Sequence, residues 1–151
     1  MNTLKKISLI IITLIMSMGC STPKNIPANN ESEVNYPLTE TYWKLIELNG
    51  QPVTAVENRR EAFLILKKDN NRVNGNSGCN NLNGYYQLTG QTELTFSKMA
   101  TTMMACKDMT IEKAFLETLQ RVDNYAIKGK VLSLSKAKMA PMAKFEVVFM
   151  K

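Results

Sequence analysis

The 151-residue chain contains a series of short apolar runs that stop at turn-forming residues, and this pattern restricts the fold more than any other. Residues 42–48 are rich in aromatic and branched side chains and end at Asn49–Gly50, a pair typical of tight turns. Residues 62–66 are apolar throughout, as in a buried strand. Apolar and polar residues alternate over 132–135 and 145–149, which predicts strands with one buried face.

The middle of the chain continues this pattern. Asp69–Asn71 provide turn residues before a short strand at 72–75. Residues 89–92 separate the apolar segments 85–88 and 94–96, which predicts a hairpin. The chain is therefore predicted to be mainly β.

One segment has a helical period instead. Apolar residues recur every three or four positions after Asp108, which predicts one amphipathic helix over about 109–122 with Asp108 as its N-cap. The apolar positions are Ile111, Ala114, Phe115, Leu119 and Val122. The polar face is predicted to carry Glu112, Lys113, Glu117, Gln120 and Arg121. We expect an α+β fold, mainly β, with antiparallel sheets forming a small open barrel-like domain and this helix packed across it.

The first 38 residues have the pattern of an exported, lipid-anchored protein. Lys5–Lys6 precede a twelve-residue apolar run at 7–18, shorter than the ~20 residues of a membrane-spanning helix. Gly19–Cys20 follow, and the whole resembles a bacterial lipoprotein signal, with cleavage before Cys20 and acylation of that residue. The alternative is a secreted protein cleaved near Gly19. We expect a signal peptide at 1–19, an acylated Cys20 with a Pro- and Asn-rich tether at 20–38, and a domain at 39–151.

Composition excludes several kinds of chemistry. The absence of histidine excludes catalytic sites and zinc sites that depend on that residue. The acidic residues are scattered, and Glu31 and Glu33, which lie close together, fall in the tether. The net charge of +6 includes two lysines of the leader and is spread along the chain. We therefore expect no enzyme and no nucleic-acid partner, while contact between basic residues and anionic envelope material remains open.

Several sequence blocks resemble one family. They are Trp43–Leu45, Ser77–Tyr86 (SGCNNLNGYY), Leu94–Phe96 and Ala100–Cys106 (ATTMMAC). Together they resemble the META domain family of HslJ-like heat-shock lipoproteins over about residues 38–151. The resemblance implies an α+β fold of antiparallel sheets and a helix, no established catalytic activity, and a link to envelope stress. Residues 136–144 depart from the short glycine turn expected in this family.

Two cysteines remain once Cys20 is acylated. Cys79 and Cys106 are 27 residues apart, and two thiols in an oxidising compartment favour a disulfide. Closing a loop of this length adds ~3–4 kcal/mol in the chain-entropy account. Two buried, unreactive thiols are one alternative. A redox pair is another, although no Cys-x-x-Cys spacing supports it.

Two further groups of residues are candidate binding sites: an Asn- and Gly-rich stretch and a group of methionines. The stretch 74–86 is rich in Asn and Gly, which predicts turns with glycines at positive φ, or else a polar ligand surface. It lacks the carboxylates of a calcium loop and the helix and lysine of a phosphate loop. Four methionines near Cys106 are candidate Cu(I) ligands, but we expect them to pack in the core, with no metal and no cofactor. They are Met99, Met103, Met104 and Met109.

We therefore expect a monomeric, lipid-anchored envelope protein, on the outer membrane and facing the periplasm. Its domain is expected to bind envelope proteins or assembly intermediates during stress. The predicted binding surface is an apolar groove beside the helix formed by Met103, Met104, Phe115 and Leu116. The alternative is a carrier of a lipid or small apolar ligand in a cavity of more than ~300 Å³ between sheet and helix. A hydrolase would need acids clustered in a cleft.

Overall fold

A computed structural model of the protein describes residues 36–54 and 60–149. The predicted leader, Cys20 and the tether up to residue 35 lie outside the described residues. The elements are β1 (Trp43–Leu48), β2 (Gln51–Pro52), β3 (Phe63–Leu66), a 3-10 turn (Asp69–Asn71), β4 (Arg72–Asn76), β5 (Asn81–Thr89), β6 (Glu93–Thr101), α1 (Thr110–Arg121), β7 (Asn124–Lys128), β8 (Val131–Ser135) and β9 (Ala143–Val147).

The strands form one antiparallel sheet that closes into a ring. Its order is β2-β1-β3-β4-β5-β6-β7-β8-β9, and β9 pairs in turn with β1, from Trp43 opposite Val147 to Leu48 opposite Ala143. A bulge interrupts this ladder between Leu45 and Glu47. The expected α+β fold, mainly antiparallel β with one packed helix in the described part of the chain, is confirmed.

The core fills the inside of the ring and includes one face of α1. Trp43, Phe115 and Phe145 are its largest fully buried side chains, and the rings of Phe115 and Phe145 are 5.9 Å apart. Such a side chain contributes roughly 1.5–3 kcal/mol when fully buried. The indole Nε1 of Trp43 donates a hydrogen bond of 2.9 Å to the carbonyl of Leu38, so its polar atom is satisfied inside the core.

The domain begins earlier along the chain than the tether predicted at 20–38 implies. Leu38 is buried, and Tyr36 packs against the core. The Thr41 hydroxyl donates to the carbonyl of Pro37 at 2.6 Å, and Thr39 forms an isolated bridge with Leu66. Residues 36–38 therefore belong to the folded domain.

Three local predictions need correction. The N-cap of α1 is Met109, one residue after Asp108, and the Asp108 carboxylate accepts a hydrogen bond of 2.8 Å from the amide of Thr110. Glu112 is buried, although the periodicity placed it on the polar face. At the end of the chain, Phe149 lies beyond β9 and is 63% exposed, because the strand stops at Val147.

The Asn- and Gly-rich stretch is mostly strand rather than turn. β4 and β5 pair from Asn76 opposite Asn81 to Arg72 opposite Tyr85, which leaves one tight turn at Ser77–Asn80. Of the three glycines in this stretch, Gly78 alone has a positive φ, +98°. Gly75 serves a different purpose: it lies in β4 where β3 approaches so closely that a Cβ would overlap the carbonyl oxygen of Phe63.

Gly75→Ala is expected to lower the free energy of unfolding by about 2–3 kcal/mol, because the overlap is with backbone and the two strands must separate. Urea unfolding measures the change. Gly90→Ala is the matched control: space there is open, and the cost comes from φ of +62°, about 1 kcal/mol. A Gly75→Ala protein as stable as Gly90→Ala would show that the close approach of β3 does not require glycine.

Candidate functional site

The turn between β4 and β5, here called the Ser77 turn (Ser77–Asn80), lies against the start of α1. Its geometry is set locally: the amide of Ser77 donates to the carbonyl of Asn80 at 2.9 Å, and the amide of Gly78 donates to Oδ1 of Asn76 at 2.8 Å. The positive φ of Gly78 lets the chain reverse within these four residues. The turn presents three donors toward the helix: the Ser77 hydroxyl, the backbone amide of Asn80 and the side-chain amide of Asn80.

Glu112 of α1 accepts those donors. It is 4% exposed. One carboxylate oxygen accepts from the Ser77 hydroxyl at 2.6 Å and from the amide of Asn80 at 3.1 Å. The other accepts from the side-chain amide of Asn80 at 3.0 Å. The buried carboxylate therefore fastens the helix to the sheet through the Ser77 turn.

Asn80 extends this network to the connection between β6 and α1, here called the methionine segment (Thr102–Met109). Its Oδ1 accepts from the Thr102 hydroxyl at 2.7 Å and from the amide of Met104 at 2.8 Å. The amide of Thr102 also donates to the carbonyl of Asn81 at 3.1 Å. One buried asparagine thus contacts the helix on one side and the methionine segment on the other.

A disulfide provides a third attachment. Cys79 in the Ser77 turn is bonded to Cys106 in the methionine segment, with their Cα atoms 6.2 Å apart. The predicted disulfide is confirmed, and the alternative of two buried free thiols is wrong. Cys106 is consequently not a thiolate ligand for the Cu(I) site considered from the sequence.

The four methionines do not all pack as expected. Met99 packs against the core and Met109 is half-buried. Met103 is 100% exposed and Met104 is 47% exposed. Both project from a segment whose backbone is fixed to Asn80 and to the disulfide, and this fixed backbone is why they do not turn inward.

The predicted apolar groove is not formed as a single surface. Phe115 lies in the core with no exposed area, and Leu116 is partly buried against the core. Met103 and Met104 are exposed, so the four residues do not line one groove. The two methionines remain as candidate contact residues.

A cleft lies beside the start of α1, between that helix, the Ser77 turn and β1. Its volume is 160 Å³, about half the lower limit of ~300 Å³ for small-molecule pockets. Apolar side chains share its lining with charged ones. The charged residues are Lys44, Arg60, Glu61, Asp108 and Glu112. This cleft is therefore smaller and more polar than the cavity expected for a lipid carrier.

Two of the charged groups of the cleft, Lys44 and Glu61, form an ion pair. The Lys44 ammonium is 3.2 Å from the Glu61 carboxylate, which also accepts a hydrogen bond of 3.0 Å from the Tyr42 hydroxyl. Burial and the neighbouring Glu61 carboxylate hold the pKa of Tyr42 well above its usual range, so this phenol remains a donor at neutral pH. These contacts join β1 to the segment that precedes β3 at the wall of the cleft.

Within residues 36–54 and 60–149, no three or more Cys, Asp or Glu side chains are grouped so as to hold a metal ion. No helix in the same ranges is long and apolar enough to cross a membrane.

Sequence reasoning missed Glu112 and Asn80 as the centre of the site. A glutamate at the third position of a helix is a common capping signal. Glu112 occupies this position, which was the sequence signal for a structural role. Its partners lie 32 and 35 residues earlier, in a turn whose position depends on the whole sheet.

The fold and this network define a class: a disulfide-bonded, ring-like antiparallel β domain whose helix is fastened to the sheet by a buried carboxylate. A sequence model of the META domain matches residues 36–148, and the chain belongs to the META domain family. The expected family is thereby confirmed.

Two solved structures share the fold. One, an NMR structure of a protein from Burkholderia xenovorans, has a TM-score of 0.60 and 24% identity, covering 75% of this chain and 85% of that one. A second NMR structure has a TM-score of 0.56 and 23% identity, covering 73% of this chain and 91% of that one. No curated protein matches this chain.

Proposed function

We propose that this META domain protein is a lipid-anchored component of the cell envelope that binds other envelope proteins or their assembly intermediates during stress. The anchor is Cys20, at the end of a segment that resembles a lipoprotein signal. The disulfide between Cys79 and Cys106 supports an extracytoplasmic location, because disulfides persist in oxidising compartments. Absence of an inner-membrane retention residue after Cys20, where Ser21 stands, favours the outer membrane, facing the periplasm.

One observation carries the binding role: Met103 is fully exposed on a backbone that is fixed on both sides. Thr102 and Met104 are hydrogen-bonded to Asn80, and Cys106 is held by the disulfide. Methionine is flexible and polarizable, so it adapts to varied apolar partners. A pre-organised backbone reduces the entropy lost when such a side chain binds. This combination suits a contact residue for apolar parts of another protein.

The hydrogen bonds of the buried Glu112 carboxylate support a structural role for this acid rather than a catalytic one. Both carboxylate oxygens of Glu112 accept hydrogen bonds from the Ser77 turn, and these bonds join the helix to the sheet. The chain has no histidine to serve as a base. We therefore propose a non-catalytic module.

The size and lining of the cleft beside α1 disfavour the alternative role as a lipid carrier. The cleft beside α1 measures 160 Å³, and both acidic and basic side chains line it. A lipid chain requires a larger volume with apolar walls.

A photo-crosslinking residue at Met103 in the full-length protein, expressed in cells, tests the binding role. We expect discrete adducts with envelope proteins, which increase when envelope stress is imposed. Met139, 69% exposed on the connection between β8 and β9, provides a matched control position with the same side chain. Equal adducts at both positions would mean that Met103 has no special role.

The anchor is examined in the same cells. Labelled palmitate should enter the wild-type protein and not Cys20→Ala. If Cys20→Ala is labelled equally, the acyl chain is attached at another residue. This outcome would contradict the proposed anchor but not the proposed binding role of Met103.

A further inference from the structure

The outer surface of β4, β5 and β6 carries a set of polar side chains that the proposed function does not use. Along β5, Leu82 and Tyr86 point into the core, whereas Asn83, Tyr85 and Gln87 are exposed on the opposite face. Arg72 on β4 lies directly opposite Tyr85 in the ladder. We call this surface, formed by Arg72, Asn74, Asn83, Tyr85, Gln87 and Lys98, the Tyr85 face.

Two cations converge on one ring in the Tyr85 face. The guanidinium carbon of Arg72 is 5.5 Å from the centroid of the Tyr85 ring, and the ammonium of Lys98 is 5.9 Å from it. Both distances fall within the range of cation–π attraction. In residues 36–54 and 60–149, neither cation forms an ion pair with a carboxylate. Two positive charges are therefore held in place without being neutralised.

A bulge in β6 is what turns Lys98 toward this face. Asn83 pairs with Ala100 and Tyr85 pairs with Ser97, so β6 contains one extra residue at this point. Lys98 there has φ of +49°, a left-handed conformation that is unfavourable for a residue with a Cβ. As a result Ser97 and Lys98 are both exposed, whereas Met99 packs inward.

Gly84 lies opposite the bulge on the other strand. A Cβ at Gly84 would overlap the sulfur of Met99, so the Met99 side chain occupies the space that glycine leaves open there. β6 therefore adopts an otherwise unfavourable backbone conformation at Lys98, and its visible effect is to place a cation over Tyr85. Strain of this kind persists where a side chain must be held in a particular position.

We propose that the Tyr85 face binds an acidic glycan. Arg72 and Lys98 would contact the carboxylate or other acidic group of the sugar through charge-assisted hydrogen bonds. The amides of Asn74, Asn83 and Gln87 can both donate and accept hydrogen bonds, which matches the hydroxyl groups of a sugar chain. This goes beyond the proposed function, because it involves neither Met103 nor the Ser77 turn.

Other polyanions fit this face less well. Single-stranded nucleic acid is bound by stacking on several free aromatic rings, and here one ring is present with two cations already over it. A membrane surface requires apolar side chains that enter the lipid, and amides surround Tyr85 instead.

Calorimetric titration of the full-length protein in detergent with polygalacturonate oligosaccharides tests the proposal, with a neutral maltooligosaccharide of equal length for comparison. We expect saturable binding of the acidic glycan alone. The double variant Arg72→Gln/Lys98→Gln should weaken it by about tenfold or more, since both charge-assisted contacts are lost. Asn83→Ala/Gln87→Ala, which keeps both charges, should also weaken it.

Lys128→Gln/Lys130→Gln is the matched control, because it removes the same charge from exposed positions on either side of Gly129. It should change the affinity by less than about twofold at physiological salt, where distant charges are screened. Equal losses in the two charge variants would overturn the proposal, since net charge alone would explain them. So would equal binding of the neutral glycan, or binding of DNA or of vesicles containing anionic phospholipid without binding of the glycan.

Discussion

Glu112→Ala is expected to lower the free energy of unfolding by about 3 kcal/mol, because it removes the acceptor for three buried donors. The Ser77 hydroxyl, the amide of Asn80 and the side-chain amide of Asn80 each lose a hydrogen bond, and both residues are buried. Weaker contacts within the turn, such as that of Asn80 N with the Ser77 hydroxyl at 3.3 Å, replace part of the loss. Urea unfolding followed by circular dichroism measures the change.

Two comparisons isolate the cause. Glu117→Ala alters an exposed residue of the same helix and should change the stability by less than about 0.5 kcal/mol. Glu112→Gln preserves the volume and one acceptor oxygen, and its stability should fall between those of the wild type and Glu112→Ala. A Glu112→Ala protein within error of Glu117→Ala would mean that the helix is held to the sheet without the carboxylate.

Cys79→Ala/Cys106→Ala is expected to cost about 3–4 kcal/mol, the loop-closure entropy of a disulfide that joins residues 27 apart. The same urea unfolding experiment measures it. A reducing agent should produce a similar loss in the wild type and no further loss in the double variant. If the double variant retains wild-type stability, the crosslink does not constrain the unfolded chain as the entropy account requires.

The same variant shows whether the disulfide is needed to hold Met103 in its exposed position. The hydrogen bonds of Asn80 to Thr102 and Met104 do not involve sulfur. The first half of the methionine segment should therefore keep its place in the double variant, and the adducts formed at Met103 should persist at temperatures well below unfolding.

The sequence predicted those parts of the fold whose burial follows a simple period. Leu132 and Leu134 alternate with serines, and both are fully buried on one face of β8. The helix was predicted within one residue at each end, because Phe115 and Leu119 recur at helical spacing. In these elements the local pattern and the final environment agree.

The prediction failed where contacts between distant residues override the local pattern. Gly84 breaks the apolar alternation of β5, so the first part of this strand looked like turns, although the missing Cβ leaves room for Met99. Glu112 looked like a solvent-facing residue because its partners are supplied by a distant turn. The bulge at Lys98 leaves no sequence signal, because lysine is an unusual residue for a left-handed conformation.

For the same reason, the disulfide of the candidate site was predicted correctly and the apolar groove was not. The pairing of Cys79 with Cys106 followed from counting the thiols and from the expected compartment, without knowledge of geometry. The groove of Met103 and Phe115 assumed that residues close in sequence share a surface. The fixed backbone between β6 and α1 instead turns the methionine outward while the phenylalanine enters the core.

The pairing of β1 with β9 has a consequence for the order in which the chain is synthesised. Val147 is made about a hundred residues after its partner Trp43, and such distant contacts form slowly. Until β9 is available to pair, one side of β1 offers unpaired peptide groups, to which a strand from a second copy can add. Prematurely terminated chains that lack residues 143–147 should therefore aggregate, whereas complete chains protect this edge themselves.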